Sequence, residues 1–256
     1  MADGTQLGAG EGRGLSPLAL ACMTLVVSFL GLPATTPAQA AEPAVVIPAP
    51  GLDPAAGRNG LQTIVLAGGC FWGSQGVYEH VKGVTQTLAG SVGRPKATMH
   101  SEMVGASPPG DAESEEDAES VRLTFDPRQI SLGKILQIYF SVMHNPTELN
   151  YQGPDVGTQY RSEIFYADNE QKRIAEAYIA QLTTAHVFAK AIVTKVEAFP
   201  GFNIAEDSDQ DFVILHPDAS YVVSNDLPKI ANLKRLFPDY YRETPVAVLA
   251  SNKTTE

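Results

Sequence analysis

Apolar positions along the chain gather into short runs whose period switches between two and nearly four. Residues 61–67, Leu61-Gln62-Thr63-Ile64-Val65-Leu66-Ala67, form a brief β-branched run suited to a buried strand. Residues 73–82 follow with Val77 and Val81 four apart, as on one face of a helix. Residues 84–89 read as a second strand, and 120–125 alternate polar and apolar as a half-buried third, ended by Asp126-Pro127. Leu132, Ile135, Leu136, Tyr139 and Met143 recur at helical spacing and predict a helix over 131–143 with Ser131 as its cap. A loop is expected over 144–160, then a strand over 161–167. An amphipathic helix over 169–185 follows, with Ile174, Tyr178 and Leu182 on one face, and a last strand over 192–198. Pro228 opens a short helix through Leu236, and the tail after Arg242 is expected to fray. This order of elements predicts an α+β fold: a two-layer α/β sandwich with a mixed sheet, a ferredoxin-like core and long loops.

The N-terminal part has a different pattern. Residues 15–32 are almost uninterrupted apolar, and Ala38-Gln39-Ala40 supplies the small-x-small site of an export signal, so the mature chain is expected to begin at Ala41. The same run is long enough to remain as a membrane anchor. Pro43, Pro48, Pro50 and Pro54, together with Gly51, Gly57 and Gly60, make residues 41–60 a linker without a core of its own. The expected organisation is a cleaved signal at 1–40, a Pro/Gly-rich linker at 41–60, a folded domain at 61–242 and a flexible tail at 243–256. The expected location is outside the cytoplasm, as a periplasmic, secreted or organellar protein with no membrane attachment after cleavage.

With 256 residues, 44% of them apolar, the chain can bury one substantial core. Its 18 basic and 29 acidic residues leave a net charge of −11, which argues against nucleic acid as a partner. The two cysteines exclude a disulfide scaffold and a cysteine-based zinc site, and Cys22 would leave with the signal.

That leaves Cys70, in Gly68-Gly69-Cys70-Phe71-Trp72-Gly73, between the first strand and the first helix. A helix N-terminus presents unpaired N–H groups and the positive end of the dipole, so this placement predicts a thiol whose pKa falls and a sulfur that acts as a nucleophile. The bland alternatives are a buried inert cysteine and a Phe71-Trp72 pair that belongs to the core.

Further segments accompany this one: Phe125-Asp126-Pro127, His144-Asn145-Pro146-Thr147, residues 152–162 (Gln152 to Ser162, through Gly157-Thr158-Gln159-Tyr160), Ala205-Glu206-Asp207 and His216-Pro217. In order and spacing they resemble the peptide methionine sulfoxide reductases of the A type, whose signature is a Gly-Cys-Phe-Trp-Gly segment like residues 69–73, and the likeness runs from 61 to about 242. The resemblance implies thiol-dependent reduction of methionine-S-sulfoxide in peptides or proteins through a Cys70 sulfenic acid. It implies no metal or organic cofactor, and Phe71 and Trp72 as the wall that holds the substrate methyl group. It assigns Tyr160 to the sulfoxide oxygen and Asp155 to shaping the site. The family's acid lies in a Gly-His-Ala-Glu segment that runs into a strand, which selects Glu119; Glu113, six residues earlier in what looks like a duplicated segment, is the alternative. His144 reads as a structural histidine at a helix end.

Three departures accompany the likeness. Ser91 stands where the family has a second tyrosine, Asp117 where it has a histidine before the acid, and Asp209 where a further histidine is usual. Without a second thiol in the mature chain, the oxidised Cys70 must be reduced from outside, by a thioredoxin-like protein or a small thiol. The expected protein is a monomer that acts on oxidised proteins or peptides. The rival reading is a catalytically weak homologue that binds methionine sulfoxide or a redox partner.

Overall fold

A computed structural model describes residues 43–54, 60–93 and 117–249. The proposed signal, the Glu113 segment and the last seven residues lie outside the described residues. In chain order the elements are β1 Gln62–Ala67, α1 Phe71–Glu79, β2 Val84–Val92, β3 Ala118–Phe125 and α2 Leu132–Ile138. Two short strands, β4 Tyr151–Gln152 and β5 Asp155–Val156, precede β6 Glu163–Tyr166, α3 Asn169–Thr184, β7 Lys195–Ala198 and β8 Asn203–Ile204. The short helix α4 Phe212–Leu215 and the helix α5 Leu227–Leu236 complete the chain.

The main sheet has the order β7-β6-β1-β3-β2-β8. Within it β6, β1, β3 and β2 are mutually antiparallel neighbours, and only β6 and β7 pair in parallel. Strands β1 and β2 therefore run the same way with β3 between them, and β3 and β6 the same way with β1 between them. These are two interleaved βαβ units carrying α1 and α2, the ferredoxin-like core that the order of elements predicted.

Strand β1 is apolar from Ile64 to Ala67 because both its faces are covered there. Ile64 and Leu66 pack with Val77, Tyr78, Ile135 and Leu136, while Val65 and Ala67 meet Val92, Ala118 and Phe165 on the opposite face. Ser131 caps α2 as expected, accepting from Lys134 N at 3.1 Å. The predicted 131–143 helix changes character at Tyr139, where Tyr139–Met143 widens into a π turn that places His144 behind the cysteine loop. The 144–160 loop contains the β4–β5 hairpin, and β2 extends three residues beyond 84–89, to Val92. Neither β8 nor α4 is visible as a periodic pattern, since two and four residues are too few to show one.

Two expectations about the flanks fail for the same reason. Residues 43–54, expected as a linker without a core, lie along α2 and α3 as a strap. Ile47 is 6% exposed and belongs to the core, Tyr178 Oη donates to Pro48 O at 2.7 Å, and Gln137 Nε2 donates to Ile47 O at 3.0 Å. Asp53 accepts from Gly133 N at 3.1 Å at the start of α2. Prolines remove N–H donors but leave carbonyls, and here side-chain donors on the helices satisfy those carbonyls. The tail expected to fray is bound through residue 249. Val246 N donates to Glu79 O at 3.0 Å, and Val248 N and Leu249 N reach Asp211 at 2.9 and 2.8 Å. In both flanks the partners lie far away in sequence, so no local pattern announces them.

Candidate active site

The turn between β1 and α1 is built by Gly69, whose φ of +85° disfavours any side chain and where an added Cβ would sit 2.9 Å from the Gln152 side chain. Gly69 N donates to Tyr160 O at 3.3 Å, which draws the tyrosine turn, Thr158–Tyr160, against the cysteine loop. Cys70 is the N-cap of α1, 8% exposed, and the Trp72 N–H is directed at its sulfur.

The expected fall in the thiol's pKa is reversed. Burial pushes Cys70 up to about 12, the Glu119 charge adds to the rise, and the Trp72 N–H opposes it without overcoming it. One N–H at the start of a nine-residue helix is a weaker influence than near-complete removal from water among carboxylates. The resting group is the thiol.

Glu119 projects from β3 to the same helix start, where its Oε2 accepts from Phe71 N at 3.1 Å. Burial raises its pKa to about 7; the Phe71 N–H pulls it down, and the charges of Asp155 and Asp209 push it up. Near neutral pH this carboxyl is therefore divided between acid and base forms, as a proton-transfer group requires. Tyr160 is half-buried, and its phenol is pushed up to about 12 by burial, then by Glu119, Asp155 and Cys70, so it remains a donor.

Phe71 and Trp72 are both partly exposed, and Phe71 also packs against the main core. Trp72 is held from three sides. Its Nε1 donates to Asp209 Oδ1 at 3.1 Å, its ring stacks on Phe212 at 3.8 Å and 9°, and it meets Tyr221 edge-on at 6.0 Å. Asp209, unusual for the pattern, is thus the anchor of the tryptophan. Ser91 pairs with Glu119 across β2 and β3, and its hydroxyl lies 3.4 Å from Asp117, which also accepts from Asn203 at 3.3 Å. The serine hydroxyl faces Asp117. His144 is structural as expected: burial pushes it down to about 3, and its ring nitrogens contact Tyr139 O at 3.2 Å and Ser162 Oγ at 2.7 Å.

Sequence reasoning missed Tyr221, whose hydroxyl donates to Asp155 and whose pKa is raised by burial, then by the nearby Cys70. Nothing in Asp218-Ala219-Ser220-Tyr221-Val222 marks that residue. Among the described residues, no group of three or more His, Cys, Asp or Glu is arranged to hold a metal ion. The assembled groups are a buried thiol, a half-ionised carboxyl, a phenol and an aromatic wall. Together they can carry out nucleophilic attack by sulfur on a small polar sulfur or carbonyl centre, with proton transfer.

Comparison with known proteins narrows this. The family model described as peptide methionine sulfoxide reductase matches residues 62–240. The peptide methionine sulfoxide reductase MsrA 2 of Mesorhizobium japonicum is 50% identical over 193 residues, covering 75% of this chain and 96% of that relative. The MsrA 2 of Synechocystis is 42% identical over 181 residues, covering 71% of this chain and 82% of its own length. Among solved structures, reduced Mxr1 from Saccharomyces cerevisiae matches with a TM-score of 0.50 at 22% identity, covering 62% of this chain and 87% of that one, which bears on the fold alone.

Proposed function

The chain belongs to the peptide methionine sulfoxide reductase family, A type, and from that membership we propose how its residues divide the work. The enzyme reduces methionine sulfoxide to methionine at the expense of thiols. The Cys70 sulfur attacks the sulfoxide sulfur while the sulfoxide oxygen takes up two protons and leaves as water; a water then attacks the Cys70 sulfur and breaks the new sulfur–sulfur bond, so that thiol plus sulfoxide become Cys70 sulfenic acid plus methionine. The observation that carries this reading is the Glu119 carboxylate at 3.1 Å from Phe71 N, at the start of the helix that Cys70 caps.

Glu119 solves a problem that the buried thiol creates. While it is ionised, its charge holds the Cys70 proton in place; once protonated, it ceases to repel a thiolate and has a proton to give to the sulfoxide oxygen. Tyr160 donates to that oxygen as negative charge develops on it. Phe71 and Trp72 hold the methyl group by apolar contact, and Tyr221 and Asp155 fix each other at the edge of the site. The substrate is the S epimer of the sulfoxide in oxidised proteins or peptides.

Cys70 is the free cysteine among the described residues, so its sulfenic acid condenses with an external thiol, releasing water, and a second thiol frees Cys70 and leaves as a disulfide. The reductant is a thioredoxin-like protein or a small thiol, no organic cofactor takes part, and the enzyme works as an exported monomer. The test is turnover of a methionine-S-sulfoxide peptide with dithiothreitol, together with one equivalent of substrate added without reductant. A sulfenic-acid trap should then add once, at Cys70. Confirmed substrate reduction with Cys70 unmodified would end this mechanism.

A further inference from the structure

A small cavity opens on Cys70. Its volume is about 20 Å³, room for one water-sized group and too little for a methionine sulfoxide side chain. Glu119, Tyr160, Phe71 and Trp72 are not among its walls; Cys70, Asp155, Tyr221, Asn225 and Lys229 are. Lys229, on the first turn of α5, is 14% exposed, and its Nζ lies 3.9 Å from Asp226 Oδ1.

Asp226 is an unusual carboxylate. It is fully buried, and neither of its oxygens meets a hydrogen-bond donor among the described residues. A buried carboxylate without donors is costly and persists when a counter-charge compensates it. Gly73 shows where the pair sits. An ideal Cβ there would fall 2.2 Å from Asp226 Oδ1 and 3.2 Å from Lys229 Nζ, so the two charged groups are packed on the third residue of the helix that Cys70 caps. Only glycine leaves them room.

We propose that Lys229 is a positioning residue for the Cys70 thiolate: its ammonium stabilises the sulfur anion when it forms, while the buried Asp226 carboxylate beside it opposes that anion. The proposal rests on Cys70 being the nucleophile. The titratable groups facing Cys70 from the elements around it are Glu119 on β3, Asp155 on β5, Tyr160, Tyr221 and neutral His144, besides the pair itself. Lys229 is the cation in this set. Its influence on the thiol and that of Asp226 have opposite signs, which distinguishes an electrostatic role from simple packing.

The test is the alkylation rate of Cys70 by iodoacetamide on the full chain, at a fixed pH well below the thiol midpoint, where rate follows the thiolate fraction. Lys229→Met should slow alkylation on the order of tenfold, one pH unit of midpoint, and Asp226→Asn should speed it several-fold. Lys229→Arg should restore the wild-type rate. If Lys229→Met fails to fold, Lys229→Gln carries the same expectation. Unchanged rates, or both neutralising variants moving the rate the same way, would overturn the proposal. Because alkylation needs no turnover, the result stands apart from the sulfoxide assay, which tests the function itself.

Discussion

Each end of α1 faces a carboxyl whose pKa burial raises, partly buried Glu119 at one and buried Glu79 at the other, yet they serve different ends. At the N-terminal end Glu119 is raised to about 7, is reached by the Phe71 N–H and faces Cys70. At the C-terminal end Glu79 is raised to about 9, is 1% exposed, and is closed over by the 246–249 segment. Its carboxyl faces Asp211, and among the described residues no other hydrogen-bonding group reaches it. Asp211 in turn holds the Val248 and Leu249 N–H groups. Free N–H groups at a helix start support a carboxylate, whereas the negative end of the dipole disfavours one. Burial shifts both groups; the Phe71 N–H limits the rise of Glu119, and Asp211 adds to that of Glu79. A perturbed carboxyl marks a functional site only where reactive chemistry and access accompany it.

Removing each carboxyl breaks the comparison most directly. Glu119→Gln should lower kcat by roughly 10²–10⁴, the worth of a placed proton donor, while Glu79→Gln should leave steady-state turnover at neutral pH essentially unaltered. Equal losses in the two variants would mean that α1 transmits any buried change to Cys70.

Tyr160→Phe comes next. With a serine at position 91 and the Tyr221 hydroxyl on Asp155, the proposed mechanism leaves Tyr160 as its phenolic donor, and its loss should cost on the order of 10²–10³ in kcat. Ser91→Tyr should raise kcat more than it changes KM, because the gained bond belongs mainly to the transition state. An unchanged kcat in Ser91→Tyr would place residue 91 outside the reacting volume.

The pH profile of kcat/KM is a milder probe. An acid that titrates at about 7 is competent below that pH, so the rate should fall roughly tenfold per unit as pH rises beyond it. Glu119→Gln should flatten that limb, and a wild-type limb that survives the substitution would assign the titration to another group.

The smallest effect concerns stability. Glu79 binds its proton more tightly folded than unfolded, so its stabilising contribution is complete below the ordinary carboxylate range and is lost as pH rises through about 9. Melting temperatures of Glu79→Gln should therefore hold up better than those of the wild type between pH ~5 and ~9. Truncation before Val246 should reduce this difference, because it opens Glu79 to water. Parallel melting curves for wild type and Glu79→Gln across this range would show that the carboxyl is not held protonated.

The resemblance to a family selected Glu119; by itself the sequence determined the order of elements, the ferredoxin-like core, Cys70 as helix cap and the Ser131 cap. These depend on near neighbours: β-branched runs, helical spacing and a glycine turn act over a few residues, so they survive in a one-dimensional reading. Only the tertiary structure decided the sign of the thiol's shift, since it depends on how much water β3, β5 and α5 exclude from Cys70 together. It also supplied Tyr221, Asp226 and Lys229, which reach the site from more than 150 positions along the chain. The strap at 43–54 and the bound tail belong to the same class, because their backbone groups are satisfied by α2, α3, Glu79 and Asp211. Burial and charge are sums over everything nearby in space, and distance along the chain does not record which groups those are.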